Sequence, residues 1–387
     1  MAFSSAPEPP SELGRYRILS STAAVRVSPL QLGAMSIGEA WKEAMGSMDK
    51  GNSFKLLDAF YELGGNFIDT ANGYQNEDSE RWVGEWMKAR STEGNDRRDD
   101  IVLATKYTTP YTSYRAGQLH AVNHSGNHKK SLHISLRDSL KKLQTDYIDI
   151  LYVHWWDWTT SIEELMDSLD AVVKSGKVLY LGVSDTPAYI VAAANTYAKD
   201  HGKTQFSIYQ GRYNIIIRDM EREIIPMCRH FGMAIAPWDA MGGGMFQSKK
   251  QLEERRKNNE SLRSLMGNGE QGESEARISA ALEEVGEEHG GVGPQAIALA
   301  YVMAKTPNVF PIVGGRKVEH LKSNVQSLSI KLSEEQIKKL ESIVPFEPGF
   351  PNSLIHEDPH ISGKASWILK RTAQVAFVKA SKPIGYE

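Results

Sequence analysis

Short apolar runs recur along this chain, and the apolar positions between them fall on helical spacing. The runs Leu30–Met35, Phe67–Thr70, Ile101–Lys106, Tyr147–His154, Leu179–Ser184, Phe206–Gln210, Met233–Trp238 and Val309–Val313 are strand candidates. Most hold too few polar positions to keep one face in water, which suits parallel strands covered on both sides. Of the intervening segments, Leu132, Leu136, Leu140 and Leu143 share one helix face. Ser161 and Glu164 read as a capping box before the stripe Leu165, Leu169, Val172 and Val173, with Gly176 as the stop. Thr186-Pro187 reads as an N-cap followed by proline at the first helical position. Ser333-x-x-Gln336 opens a late helix that ends before Pro345.

Strands alternating with helices in this number predict an α/β protein built as a (β/α)8 TIM barrel. A single domain over 1–387 is expected, with the barrel core at about 30–344. A doubly wound sheet would need a Gly-x-Gly-x-x-Gly turn after the first strand; the chain has M-S-I-G-E-A-W there. Two segments stand outside the rhythm. Gly242–Gly272 is glycine-rich and then charged (KKQLEERRKNNE), an excursion on the face where barrel active sites are built. The tail 345–387 carries prolines and the aromatics Phe346, Phe350, Trp367 and Phe377. It is expected to fold over the mouth and help select the substrate.

Composition narrows the functional classes. Hydrophobic residues are 41% and charged residues 24%, enough for a sizeable core. The net charge of −3 gives no general pull toward nucleic acid or an anionic membrane. A lone cysteine, Cys228, suits a reducing compartment, and its neighbours Pro226, Met227 and Arg229 suggest a core thiol. The opening MAFSSAPEPPSE has no apolar stretch of signal-peptide type, and no apolar run reaches membrane-spanning length. A cytoplasmic location is expected.

The candidate chemistry lies at strand ends. Asp69 closes the second strand candidate, with Tyr74 in the loop after it; Lys106 closes the third and His154 the fourth. In a (β/α)8 barrel these ends open on one mouth. Such a set serves carbonyl reduction by hydride, where the oxygen becoming an alkoxide needs a proton. A tyrosine can supply it, but with an ordinary pKa of about 10 it is expected to be tuned toward neutrality. A lysine cation lowers a phenol's pKa, a carboxylate keeps that lysine charged, and a histidine can orient the oxygen or shuttle the proton. A metal-dependent hydrolase would need several clustered ligands; only His154 and Asp69 occupy such places, and Lys106 between them repels a cation. No metal is expected.

The motifs Asp69-Thr70-Ala71-Asn72-Gly73-Tyr74, Ala104-Thr105-Lys106 and Leu151-Tyr152-Val153-His154 resemble those of the aldo-keto reductase superfamily. The stretches Y-Q-N-E-D-S-E, H-W-W-D-W and G-G-R-K-V-E-H-L, with the insertion Tyr107–Lys130, are similar to its fungal aryl-alcohol dehydrogenase and norsolorinic acid reductase group. The resemblance implies an extended NADP(H) across the barrel mouth and a small carbonyl or alcohol substrate. It implies that Ser184, Asp185 and Gln210 meet the nicotinamide carboxamide, with Asp185 standing where the family has asparagine. Trp238 would stack on the nicotinamide ring, with Asp239 beside it. Gly314, Arg316, Lys317, His320 and Asn324 would take the 2′-phosphate and adenine. A helix start carrying glycines and cations is a sound phosphate site. Substrate contacts are expected from His154, Trp41, Trp155 and Tyr107, with Trp156, Trp158, Tyr111 and Tyr114 nearby; such a rim fits a flat apolar carbonyl compound. The alternative is a cofactor-binding sensor subunit of the same fold with little turnover.

Overall fold

A computed structural model of the chain, described over residues 5–42, 48–117, 120–257 and 271–386, places the strand candidates in one 8-stranded parallel sheet. Its strands are β3 (Gln31–Gly33), β4 (Phe67–Asp69), β5 (Val102–Tyr107), β6 (Ile148–Val153), β7 (Val178–Ser184), β8 (Phe206–Arg212), β9 (Ala234–Trp238) and β10 (Ile312–Val313). They lie in the order β10-β3-β4-β5-β6-β7-β8-β9. An Ile235–Val309 bridge closes the ring, and Phe310 donates its amide to the Ile235 carbonyl at 2.8 Å. The fold is the (β/α)8 barrel. β10 is shorter than its apolar run because Pro311 has no amide proton to give the ladder.

One element was not among the strand candidates. β1 (Arg17–Ser20) and β2 (Ala23–Val27) form an antiparallel hairpin ahead of the barrel. Its apolar residues Leu19, Ala23 and Val27 pack with Phe67, Val102, Ile150, Ile208, Ala234 and Phe310. These barrel residues sit early in their strands, so the hairpin forms a floor under the N-terminal end. The remaining apolar side chains fill the layer between strands and helices, Cys228 among them; burial pushes its thiol up, as an inert core thiol requires.

The helices follow the predicted periodicity, with adjusted starts. The helix Lys129–Leu143 buries Leu132, Leu136 and Leu143. Ser161 caps the helix Ile162–Lys174, but only half of the box forms, because Glu164 accepts instead from the Lys129 amide at 3.1 Å. Pro187, not Thr186, is the N-cap of the helix Ala188–Asp200, while the Thr186 hydroxyl donates to the Ser184 carbonyl. At Ser333 the capping box is complete.

Of the excursion after β9, the turn Gly242–Gly244 and the helix Lys249–Lys257 are described; 258–270 lie outside the described residues. In the tail, Phe346 lies under the guanidinium groups of Arg218 and Arg222, at 4.8 and 4.7 Å. The Tyr386 hydroxyl accepts from the Leu332 amide at 2.9 Å. No helix among the described residues is long and apolar enough to cross a membrane.

Candidate active site

Parallel register sets the site. Asp69 pairs with Ala104, and Lys106 with Tyr152, so the ends of β4, β5 and β6 stand side by side at the mouth. The Lys106 ammonium is fully buried. It donates to Asp69 Oδ1 at 2.5 Å, to the Thr70 carbonyl at 2.7 Å and to the Tyr74 hydroxyl at 3.4 Å. Gln210 Nε2 donates to the other Asp69 oxygen at 2.9 Å, so both carboxylate oxygens are committed. The Tyr74 and His154 rings meet edge to face, centroids 5.9 Å apart. Both line a cavity of about 170 Å³ with Trp41, Thr109 and Tyr111.

Tyr74 reaches this place through an unusual turn. Gln75, Asn76 and Glu77 all have positive φ, at 52, 51 and 81°. Left-handed backbone costs a non-glycine residue roughly 1–2 kcal/mol, so the surroundings must hold it. Gln75 is buried; it accepts from the Trp41 amide and donates to the Met35 carbonyl. Asn76 accepts from the Trp41 indole at 3.2 Å. Glu77 pairs with Lys142 at 3.2 Å and receives the Tyr114 hydroxyl. Lys142 also reaches the buried Glu80 at 2.7 Å and donates to the Asn72 carbonyl at 3.0 Å. A buried ion cluster thus anchors the turn from behind, and the insertion after β5 is tied to it through Tyr114. Trp41 and Tyr114 were singled out for the substrate rather than for this turn, and the other supporting residues not at all; the only signal was the acidic run Y-Q-N-E-D-S-E.

The electrostatics differ from the expected tuning. Burial pushes the Tyr74 phenol above its ordinary value, and the opposing charge of Lys106 does not overcome it. Burial also works against the Lys106 charge, but Asp69 and Tyr74 outweigh it and hold the ammonium above its usual range. Burial, with Lys106 adding to it, drives His154 down to about 3, so its imidazole is neutral. A neutral imidazole can orient an oxygen but does not carry the extra proton of a shuttle. Together these groups are a neutral phenol backed by a fixed ammonium, facing a cavity beside a neutral imidazole: a proton donor positioned for an oxygen that gains negative charge.

The expected cofactor residues fall on consecutive strand ends. Ser184 ends β7, Gln210 lies near the end of β8, Trp238 ends β9 and Gly314 follows β10. The Ser184 hydroxyl is buried and makes no hydrogen bond among the described residues. The Trp238 indole donates to Asp185 Oδ1 at 3.2 Å, and burial raises the Asp185 carboxyl against that bond. Arg212 lies over the Trp238 ring at 5.7 Å and pairs with Asp239 at 2.6 Å. Arg316, Lys317 and His320 are exposed around the start of the helix Val318–Val325, and Asn324 is buried within it. The space around Gly314 is open. An unpartnered buried hydroxyl at one end and an open helix start with cations at the other fit an elongated nicotinamide dinucleotide.

The substrate-side residues are not all brought together. Trp41 lines the cavity, edge to face with Tyr74 at 6.2 Å. Trp155 is 37% exposed and its indole donates to Thr109 at 3.3 Å. Tyr107 is buried, with its hydroxyl spent on the Asn127 carbonyl, and Trp156 is core. Trp158 is exposed, and Tyr111, which does line the cavity, donates to Asp138. No tail residue is among those lining the cavity. Among the described residues no three His, Cys, Asp or Glu side chains are grouped to hold a metal ion.

Residues 29–345 match the Aldo/keto reductase family. The chain is 62% identical over 375 residues to AAD14 of Saccharomyces cerevisiae, a protein named among the aryl-alcohol dehydrogenases; this covers 97% of the chain and 98% of the relative. It is 57% identical to the aldo-keto reductase ausK of Emericella nidulans, over 99% of the chain and 95% of the relative. It is 48% identical to the norsolorinic acid reductase of Aspergillus flavus, over 99% and 96%.

Proposed function

The chain belongs to the aldo/keto reductase family, and from that premise we propose that it is a cytoplasmic NADP(H)-dependent enzyme reducing aldehydes or ketones to alcohols, with Tyr74 as the general acid. The observation that carries this reading is the buried Lys106 ammonium held between Asp69 at 2.5 Å and Tyr74 at 3.4 Å, behind a cavity that Tyr74 and His154 line. Ser184, Asp185, Gln210 and Trp238 would hold the nicotinamide, with Asp239 positioned through Arg212. Gly314, Arg316, Lys317, His320 and Asn324 would hold the adenosine phosphates. When bound, the nicotinamide supplies the hydride.

The chain's own residues do the rest. Tyr74 gives its hydroxyl proton to the carbonyl oxygen as negative charge develops there. The phenolate left behind is stabilised by the Lys106 ammonium, which Asp69 keeps charged and in place. Gln210 fixes the second Asp69 oxygen, so the carboxylate cannot swing away from the lysine. His154 orients the carbonyl oxygen through an N–H. The aromatic faces of Trp41 and Tyr111 suit an aryl aldehyde or a polyketide-type ketone. The names of the relatives, aryl-alcohol dehydrogenase and norsolorinic acid reductase, support that class.

The test is single-turnover NADPH oxidation with 4-nitrobenzaldehyde, run beside NADPH binding by fluorescence. Tyr74→Phe should lose about 10²–10⁴-fold or more of the reduction rate while still binding NADPH. Near-normal reduction by this variant would remove Tyr74 from the role. Tight NADPH binding with negligible turnover by the unmodified chain would favour the sensor reading.

A further inference from the structure

Beside the tetrad, Thr109 is placed by a backbone that its neighbour adopts only under constraint. Thr108, a β-branched residue, has φ of 101°. Left-handed conformations are rare for such residues and mark a local demand. Thr108 is fully buried and held on several sides. Its hydroxyl accepts from Asn127 Nδ2 at 3.0 Å and from the His154 amide at 3.3 Å, and its carbonyl accepts from the Gly126 amide at 2.8 Å. Asn127 also exchanges hydrogen bonds with Asp157 and donates to the Trp155 carbonyl. This frame delivers the Thr109 hydroxyl to His154 Nδ1 at 3.0 Å, within the cavity wall.

The hydroxyl has a second neighbour. The Trp155 indole N–H lies 3.3 Å from the same oxygen. An indole nitrogen can only donate, and a hydroxyl has one proton to give. Thr109 Oγ1 therefore accepts from Trp155, and the one acceptor it meets among the described residues is His154 Nδ1. Spending every group in the chain gives Trp155 N–H to Thr109 oxygen, and Thr109 O–H to Nδ1. The imidazole proton then sits on Nε2, which makes no hydrogen bond among the described residues, in a ring that lines the cavity against Tyr74.

We propose that Thr109, with its hydroxyl oriented by Trp155, is a positioning residue that fixes His154 as the Nε2–H tautomer. His154 then presents a donor, not a lone pair, to the substrate oxygen that Tyr74 protonates. This rests on the reduction proposed above for its consequence, but not for its geometry. It also gives Trp155 a place in the site without substrate contact: the tryptophan acts two bonds back, through the threonine. A neutral imidazole, as the burial of His154 dictates, has two tautomers of similar intrinsic energy, so one hydrogen bond suffices to choose between them.

The tautomer can be read without turnover. In protein labelled with ¹⁵N-histidine, long-range ¹H–¹⁵N spectra report which ring nitrogen carries the proton, and His154→Gln assigns the resonance. The unmodified chain should show Nε2–H alone for His154. Thr109→Val, which keeps the shape and removes the hydroxyl, should give a mixture or Nδ1–H. Thr109→Ser should restore Nε2–H. In aldehyde reduction Thr109→Val should lose about tenfold in kcat/KM, the scale of one hydrogen bond, with unchanged NADPH binding, and Thr109→Ser should recover most of it. A His154 proton on Nδ1 in the unmodified chain, or a pure Nε2–H signal in Thr109→Val, would overturn the proposal. If the tautomer shifts as expected in a protein that reduces no carbonyl, the tautomer assignment stands and the reductase reading fails.

Discussion

At the scale of single residues, the raised Tyr74 pKa and the lowered His154 pKa together define which protons the site can move. The folded Tyr74 phenol titrates above its ordinary value, 10.0, so it stays protonated through neutral pH. Reduction needs that proton; the reverse oxidation needs it gone. The kcat/KM for carbonyl reduction should therefore be flat from about pH 6 to about pH 9 and fall only as Tyr74 ionises, while alcohol oxidation should climb with pH over the same range. A reduction profile falling through neutrality would show a phenol tuned far below what the buried site suggests. Lys106→Met should damage reduction as much as Tyr74→Phe, since it leaves Asp69 buried without its counter-charge. The double variant should be little worse than either single one, because the two residues act as a unit. Rate measurements on the three variants with one aldehyde decide this. The grouping was legible because Asp69, Lys106 and His154 end apolar runs, with Tyr74 in the loop after Asp69, and barrel topology brings such ends together. Thr109 was not legible: nothing in T-K-Y-T-T distinguishes it until the positive φ of Thr108 is seen.

At the scale of elements, two short pieces carry a load out of proportion to their length. The turn after β4 keeps three left-handed residues in a row because Lys142 sits behind it among Glu77, Glu80 and the Asn72 carbonyl. Removing the lysine leaves the buried Glu80 without a cation among the described residues, while Glu77 keeps Arg81 at 3.3 Å and Arg115 at 3.6 Å. Lys142→Met should cost about 3–5 kcal/mol in stability, the usual penalty for orphaning a buried charge, read as a lower urea midpoint. An unchanged midpoint would mean that the cluster is not what holds the turn. Sequence periodicity has no way to report such a cluster, since Lys142 occupies a position that reads as the polar side of its helix. The second piece is the start of the helix Val318–Val325, where Arg316 is exposed ahead of the Lys317 N-cap. If it reads the 2′-phosphate, Arg316→Ala should raise the Michaelis constant for NADPH and leave that for NADH nearly unaltered. Equal losses with both cofactors would assign Arg316 elsewhere. Here the glycines and cations of G-G-R-K were the signal.

At the scale of the whole molecule, strand number and order were readable from the rhythm of apolar runs, because parallel strands buried on both faces leave that signature. The hairpin was not, because its strands are only 4 and 5 residues long, mix buried and exposed positions without a clean period, and carry the charged Arg17 and Arg26. The tail was expected over the mouth; Phe346 does reach Arg218 and Arg222 in the loop after β8, and Tyr386 reaches Leu332, but no tail residue lines the cavity. Truncation after Val344 should then lower the melting temperature and leave the Michaelis constants for small aldehydes as they were. A changed substrate profile in the truncated chain would show that the tail does reach the substrate.

The hairpin floor has a consequence for traffic. Below Asp69 and Lys106 the barrel interior is filled by Phe67, Val102, Ile150, Ile208 and Phe310, sealed by Leu19, Ala23 and Val27. These apolar side chains offer entering water no polar partner on that side. If Tyr74 is the acid proposed above, a proton it gives up is replaced from the opening that also passes the product. On that reading, recharging the acid and discharging the product share one doorway and take turns, so the site is not ready for a second carbonyl while the first alcohol still blocks the way.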